Sequence, residues 1–205
     1  MSDHVVRTTG GRRITDPPIA RFLFNDTRLA IVWLVIRVLV GWTWVSAAMT
    51  KINDPDWMLT GEALRRFWNN AIQIPAGSAK PPITFDWYRD FIQSMLNAGA
   101  YVWFAKLITV AELTVGILLI LGLFTGIAAF IGGFLNWNYL MAGSASTNPL
   151  LFVGSIFLIL AWKTAGYYGL DRFLLPSLGT PWVHDPPVVQ QPLPRQERVP
   201  SGGDR

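Results

Sequence analysis

The chain has 205 residues, a mass of 22.9 kDa and a net charge of +4, with 51% hydrophobic and only 15% charged residues. Soluble domains carry about 25% charged residues, so this composition points away from them and toward a membrane protein. The absence of Cys excludes disulfides, thiolate nucleophiles and cysteine-held iron–sulfur clusters. The basic residues collect toward the ends without forming a run, which excludes a nucleic-acid partner.

Residues 1–28 read as a polar cytoplasmic tail. It carries Arg7, Arg12, Arg13, Arg21 and Arg28, and only Ile19 to Asn25 is helix-prone. Arg12-Arg13 is not followed by an apolar stretch, so it does not read as a twin-arginine signal. Arg37 and the length of the next segment argue against a cleaved signal peptide ending at Ser46-Ala47-Ala48.

The first apolar segment runs from Leu29 to about Met49. Its ~31 Å of helix is enough to cross the hydrocarbon of a bilayer. A second runs from about Tyr101 to Leu121. A third covers about Thr125 to Met141 and a fourth about Pro149 to Ala165, both near the shortest length that spans. Between the first and second, residues 52–100 are too polar to cross. Within them, Leu64, Phe67, Trp68, Ala71 and Ile72 share one helical face, as do Trp87, Tyr88, Phe91, Ile92 and Met95. Both read as short helices lying on the bilayer surface or capping the bundle. The expected fold is therefore all-α: an integral-membrane four-helix bundle over residues 29–178, with residues 179–205 as a Pro-rich disordered tail. Basic flanks on both termini place them in the cytoplasm, giving a multi-pass protein of the inner (plasma) membrane with the long loop outside. The lipid bilayer is the first partner this implies.

Charges inside apolar segments are costly and usually functional. Arg37 and Glu112 lie near the midpoints of the first and second segments. Matching their depths predicts an Arg37–Glu112 ion pair, serving either as a register lock or as part of a cavity that binds a ligand or moves protons. Lys106, Asn136 and Asn138 stand at compatible depths and extend that expected cluster. Lys51 closes the first segment, either as an interfacial anchor or as an anion-facing lid that binds substrate. Trp42 and Trp44 face lipid or line a quinone-sized slot. His4 and His184 lie in the tails, so no buried bis-His haem is expected. Motifs for flavin or nucleotide binding, metal ligation and Ser/His/Asp hydrolysis are missing.

The order Arg37-Val-Leu-Val-Gly41, Lys51, Pro55-Asp-Trp57, Gly61, then Glu112-Leu-Thr-Val-Gly116 through Gly122-Leu-Phe-Thr, then Gly166-Tyr-Tyr-Gly-Leu-Asp171-Arg172, resembles the DoxX/DoxD family of small four-helix membrane proteins. The long outer loop and Trp57-x-x-x-Gly61 are more similar to the DoxD branch, which includes the large subunit of thiosulfate:quinone oxidoreductase. The resemblance implies Arg37, Lys51, Glu112 and Asp171 as family positions. It also implies quinone as the electron acceptor, thiosulfate as the donor and a separate smaller subunit as partner. On that expectation Arg37 and Glu112 are catalytic, handling protons. Trp42, Trp44, Lys106, Asn136 and Asn138 hold quinone. The alternative expectation is a non-catalytic accessory subunit of a larger respiratory or photosynthetic membrane complex.

Overall fold

The computed structural model describes residues 16–77 and 80–179, so the expectations for most of the N-terminal tail and for nearly all of the C-terminal tail lie outside the described residues. Helices account for the regular structure of the described residues, with no strand among them. α1 (Pro18–Asn25) covers the helix-prone end of the N-terminal tail, and a 3₁₀ turn (Thr27–Leu29) leads into α2 (Ala30–Ile52). Asp26 opens that turn by accepting from the Arg28 backbone N–H at 2.9 Å.

Along α2, Trp33, Arg37, Val40, Gly41, Trp44 and Ala48 are buried, while Val35, Leu39 and Trp42 point outward. One face thus seeks the bundle, and the other is apolar yet unpacked, as lipid contact requires. α6 (Tyr101–Leu121) has the same character. Thr27–Ile52 and Tyr101–Leu121 are the stretches, among the described residues, that are long and apolar enough to cross a membrane.

α2 and α6 pack antiparallel through a glycine contact. A β-carbon on Gly41 would sit 2.9 Å from the Gly116 carbonyl oxygen, and one on Gly116 would sit 2.8 Å from the Val45 nitrogen. Small residues let two backbones approach this closely and so fix the register. α7 (Thr125–Met141) and α8 (Asn148–Leu160) form a second antiparallel pair, with Gly133 facing Ser155 and Gly126 facing Trp162 at the start of α9 (Trp162–Ala165).

The residue 52–100 segment is helical where its apolar periodicity requires. α3 (Pro55–Met58) starts on a Pro, with the Asp54 side chain capping the Asp56 N–H at 2.9 Å. α4 (Glu62–Ala71) starts after Gly61, whose φ of 72° is in the left-handed region. A β-carbon at Gly61 would lie 2.6 Å from the Tyr101 carbonyl oxygen, so only glycine lets α4 dock on the start of α6. α4 and α5 (Asp86–Asn97) bury Leu64, Trp68, Tyr88 and Ile92 with Ile83 and Ala105. This core is separate from the one that Trp33, Trp44, Val115, Leu119 and Leu158 form between the long helices. Of the two expected placements, these helices take the second and cap one end of the bundle.

At the other end, Gly122 (φ 65°) and Phe124 (φ 49°) turn α6 into α7. The stretch before α10 (Asp171–Ser177) clasps that turn. Leu170 N–H donates to the Leu121 carbonyl at 3.1 Å, and Asp171 N–H donates to the Gly122 carbonyl at 2.8 Å. The Asp171 carboxylate accepts from the Phe124 and Thr125 N–H groups at 2.6 and 2.9 Å, which caps α7 and complements its dipole.

Candidate functional site

The expected Arg37–Glu112 pair does not form. The glycine contact sets Gly41 against Gly116 and Ile120, and the Arg37 guanidinium lies against Gly122, ten residues from Glu112 along the chain, or about 15 Å at 1.5 Å per residue. Side-chain direction widens the gap. Helical side chains lean toward their own N-terminus, so on antiparallel helices Arg37 and Glu112 lean to opposite ends of the bundle. By the same rule Lys51, near the C-terminal end of α2, leans back toward Glu112 while Glu112 leans up to meet it.

Lys51 Nζ donates to Glu112 Oε1 at 2.8 Å and to Oε2 at 2.6 Å. Tyr139 O–H donates to Oε1 at 2.6 Å. The Glu112 side chain is 1% exposed and that of Lys51 is 15% exposed. The ammonium also lies 5.2 Å from the ring centre of Trp57 and 5.7 Å from that of Tyr139, within cation–π range. A carboxylate buried in apolar surroundings is tolerated only when paired and hydrogen-bonded, and here it has both.

Two cavities flank Tyr139. A polar one of about 210 Å³ is bounded by Lys51, Glu112, Tyr139, Trp44 and the residues leading into α8, among them Ser144 and Thr147. An apolar one of about 340 Å³ lies between α4, α5, α6 and α7, walled by Phe67, Trp68, Phe104, Ile108 and Phe134, with Tyr139 on its boundary. Leu107 and Phe134 on its wall are exposed on the apolar flank of the bundle. Tyr139 lines both cavities. Tyr88 and Asn138 also line the apolar one, and the Tyr88 hydroxyl donates to the Asn138 backbone carbonyl at 3.1 Å and to its Oδ1 at 3.2 Å. Burial pushes the Tyr88 phenol up to about 12.

The other expected site residues are dispersed. Arg37 is buried at the opposite end. Its Nη2 donates to the Tyr168 carbonyl at 3.1 Å, and Asp171 supplies the neighbouring negative charge. Its guanidinium fills the space that side chains on Gly122 and Gly169 would need. Its position is that of a strut under the α6–α7 turn, and it touches neither cavity. Trp42 is 64% exposed on the outer face, and Lys106 is exposed as well, so neither joins a cavity. Asn136 and Asn138 are two residues apart on one helix and therefore face different ways. Asn136 is fully buried, and Asn138 faces the apolar cavity. Trp44 is buried and borders the polar cavity. Lys51 is in the site, as carboxylate partner rather than outlying lid.

Sequence reading missed Tyr139 in this role. Its signal was available: it lies one turn after Asn136 in the same helix, interleaved with the asparagines.

The DoxX family model matches residues 32–138, just over half of the chain, and spans Arg37, Lys51 and Glu112. The chain belongs to the DoxX family. No curated protein and no solved structure matches it. Within this DoxX protein, Tyr139 and Asp171 lie outside the matched stretch, so their places in the fold rest on geometry alone. Together with its two long apolar helices, membership marks the chain as a membrane protein.

Proposed function

We propose that this protein is the membrane component of a quinone-linked oxidoreductase, of the DoxD-like type, with thiosulfate as electron donor. The single observation that carries the reading is that Tyr139 of the Lys51–Glu112–Tyr139 cluster lines both an apolar cavity and a polar cavity. A ring substrate with a lipid tail needs an apolar slot reached from the bilayer plus a few polar groups to orient it, and ligand sites of this kind start near 300 Å³. Phe134 and Leu107 offer the lipid-side approach, while Tyr88, Asn138 and Tyr139 offer the polar contacts. In the polar cavity Lys51 is the cation that meets an anionic donor, alongside Ser144 and Thr147.

In this reading α7 and α8, with α9 continuing α8, cross the membrane beside α2 and α6. Both termini lie in the cytoplasm, and the polar cavity opens outside. A smaller partner subunit completes the enzyme. The test is thiosulfate-dependent quinol formation by the purified chain together with whatever co-purifies in mild detergent. Activity in the wild type that falls at least about 100-fold in Glu112→Gln is expected for loss of a proton-handling group. No activity in either protein refutes the reading.

The accessory-subunit reading draws on the other end of the bundle. There α1 buries no residue, and Ile19 and Phe173 are about three-quarters exposed. Isolation of the chain as a lone particle at native abundance argues against it.

A further inference from the structure

We propose that Tyr139 passes protons from the polar cavity to a ligand in the apolar one, with the ionisation of Glu112 setting the direction in which its hydroxyl donates. The inference rests on the quinone reading above for the identity of that ligand, a ring with proton-accepting oxygens. Its basis is the geometry of one side chain. The Tyr139 hydroxyl donates to Glu112 at 2.6 Å, so the phenol proton is committed to the carboxylate while Glu112 is charged. A phenol has one proton and can also accept. Once Glu112 carries a proton, the carboxyl donates to the Tyr139 oxygen, and the phenol proton is free to turn to the apolar cavity that the same ring lines.

The groups that face this switch are few. Lys51 and Tyr139 are the titratable partners of Glu112, from α2 and α7, and Tyr88 from α5 is the other titratable group on the apolar cavity. Lys51 borders the polar cavity and is partly exposed, so it connects Glu112 to water.

Two thiosulfate anions join through a new S–S bond and release two electrons, which reduce the quinone. The Tyr139 O–H bond breaks and a quinol O–H bond forms. The phenol oxygen takes the proton of the Glu112 carboxyl, and Glu112 regains one from the polar cavity by way of Lys51. A second passage supplies the second proton. In this scheme Tyr139 meets the ligand in the apolar cavity and is a catalytic residue, and Lys51 both meets the anionic donor and returns the proton to Glu112.

The test uses the full chain in lipid nanodiscs with a short-tailed ubiquinone, reduced at an electrode so that no donor or partner subunit is needed. Quinone binding is followed by quenching of tryptophan fluorescence, and the reduced-minus-oxidised infrared difference is recorded. The expected result is a carboxyl signal that accompanies quinone reduction and vanishes in Glu112→Gln. In Tyr139→Phe that signal falls at least about 10-fold, recorded at quinone concentrations that keep the site filled. Glu112→Gln keeps the side-chain volume and serves as the second variant should Tyr139→Phe fold poorly. Bound quinone that is reduced with no carboxyl signal, or with an undiminished one in Tyr139→Phe, overturns the inference. Absence of binding in the wild type sinks the quinone reading itself, and the inference with it.

Discussion

Removing Lys51 should cost far more than removing Glu112, and the two losses should not add. In Lys51→Met the carboxyl of Glu112, 1% exposed, keeps only the Tyr139 hydroxyl as partner. Stranding one member of a buried ion pair costs about 3–5 kcal/mol. In Glu112→Gln the stranded member is Lys51, which is 15% exposed and long enough to turn its ammonium to water. That variant should lose only about 1–2 kcal/mol, the scale of a hydrogen bond to a charged group. The double variant should lie close to Glu112→Gln alone, giving a coupling energy of about 3–5 kcal/mol.

The assay is thermal unfolding in mild detergent, followed by tryptophan fluorescence. At roughly 2–4 °C per kcal/mol for a chain of this size, Lys51→Met should lower the midpoint by roughly 6–20 °C. A parallel cycle with Arg37→Met and Glu112→Gln should be additive within about 0.5 kcal/mol, because the two residues are separated by about 15 Å along α6 and have different partners among the described residues. Additive losses at Lys51 and Glu112, or coupling between Arg37 and Glu112, would refute the reasoning.

Gly116→Leu places a side chain against the backbone of α2 at Gly41 and Val45 and should cost about 1–3 kcal/mol by the same unfolding assay, since overpacking of that order forces the helices apart. Asp171→Ala removes the cap on α7 and the negative charge near Arg37, so a loss of about 1–3 kcal/mol is expected, with Asp171→Asn losing less. Tyr88 sets a pH dependence. Its folded value of about 12 exceeds the ordinary phenol value of about 10, so the neutral form is favoured by folding. The associated stability is full below about pH 10 and is lost as pH rises toward 12. Unfolding midpoints across that window should fall in the wild type and fall less in Tyr88→Phe.

Much of the helical layout was legible because apolar run length and periodicity decide it. α2 and α6 coincide with the first two apolar segments, α4 and α5 with the two amphipathic stretches, and α1 with the helix-prone end of the tail. What failed was the pairing of charges. Depth matching from segment midpoints ignored the two features that set height and direction: the Gly41–Gly116 contact, which slides the helices past each other, and the lean of side chains toward each N-terminus. Gly116 is legible in the sequence as a close-packing glycine, and Gly41 as part of the shared family pattern, yet the register the two impose becomes visible only when the helices are docked. For the same reason the five polar side chains expected in one cavity fall on different faces, and Tyr139, an ordinary interfacial aromatic by composition, becomes the residue between two cavities.

Lys51, not Arg37, is the cation that holds the carboxylate of Glu112. Lys51, Lys80, Lys106 and Lys163 are the lysines of the chain, and Glu62, Glu112 and Glu197 its glutamates, so selective labelling is simple. Solid-state NMR dipolar recoupling between ¹⁵Nζ of lysine and ¹³Cδ of glutamate, on the full chain in lipid bilayers, reads that contact directly. One strongly dephased lysine signal, lost in Glu112→Gln and in Lys51→Arg alike, is the predicted result. Dephasing of an arginine guanidinium by the Glu112 carboxyl, with all lysine signals unaffected, would contradict it.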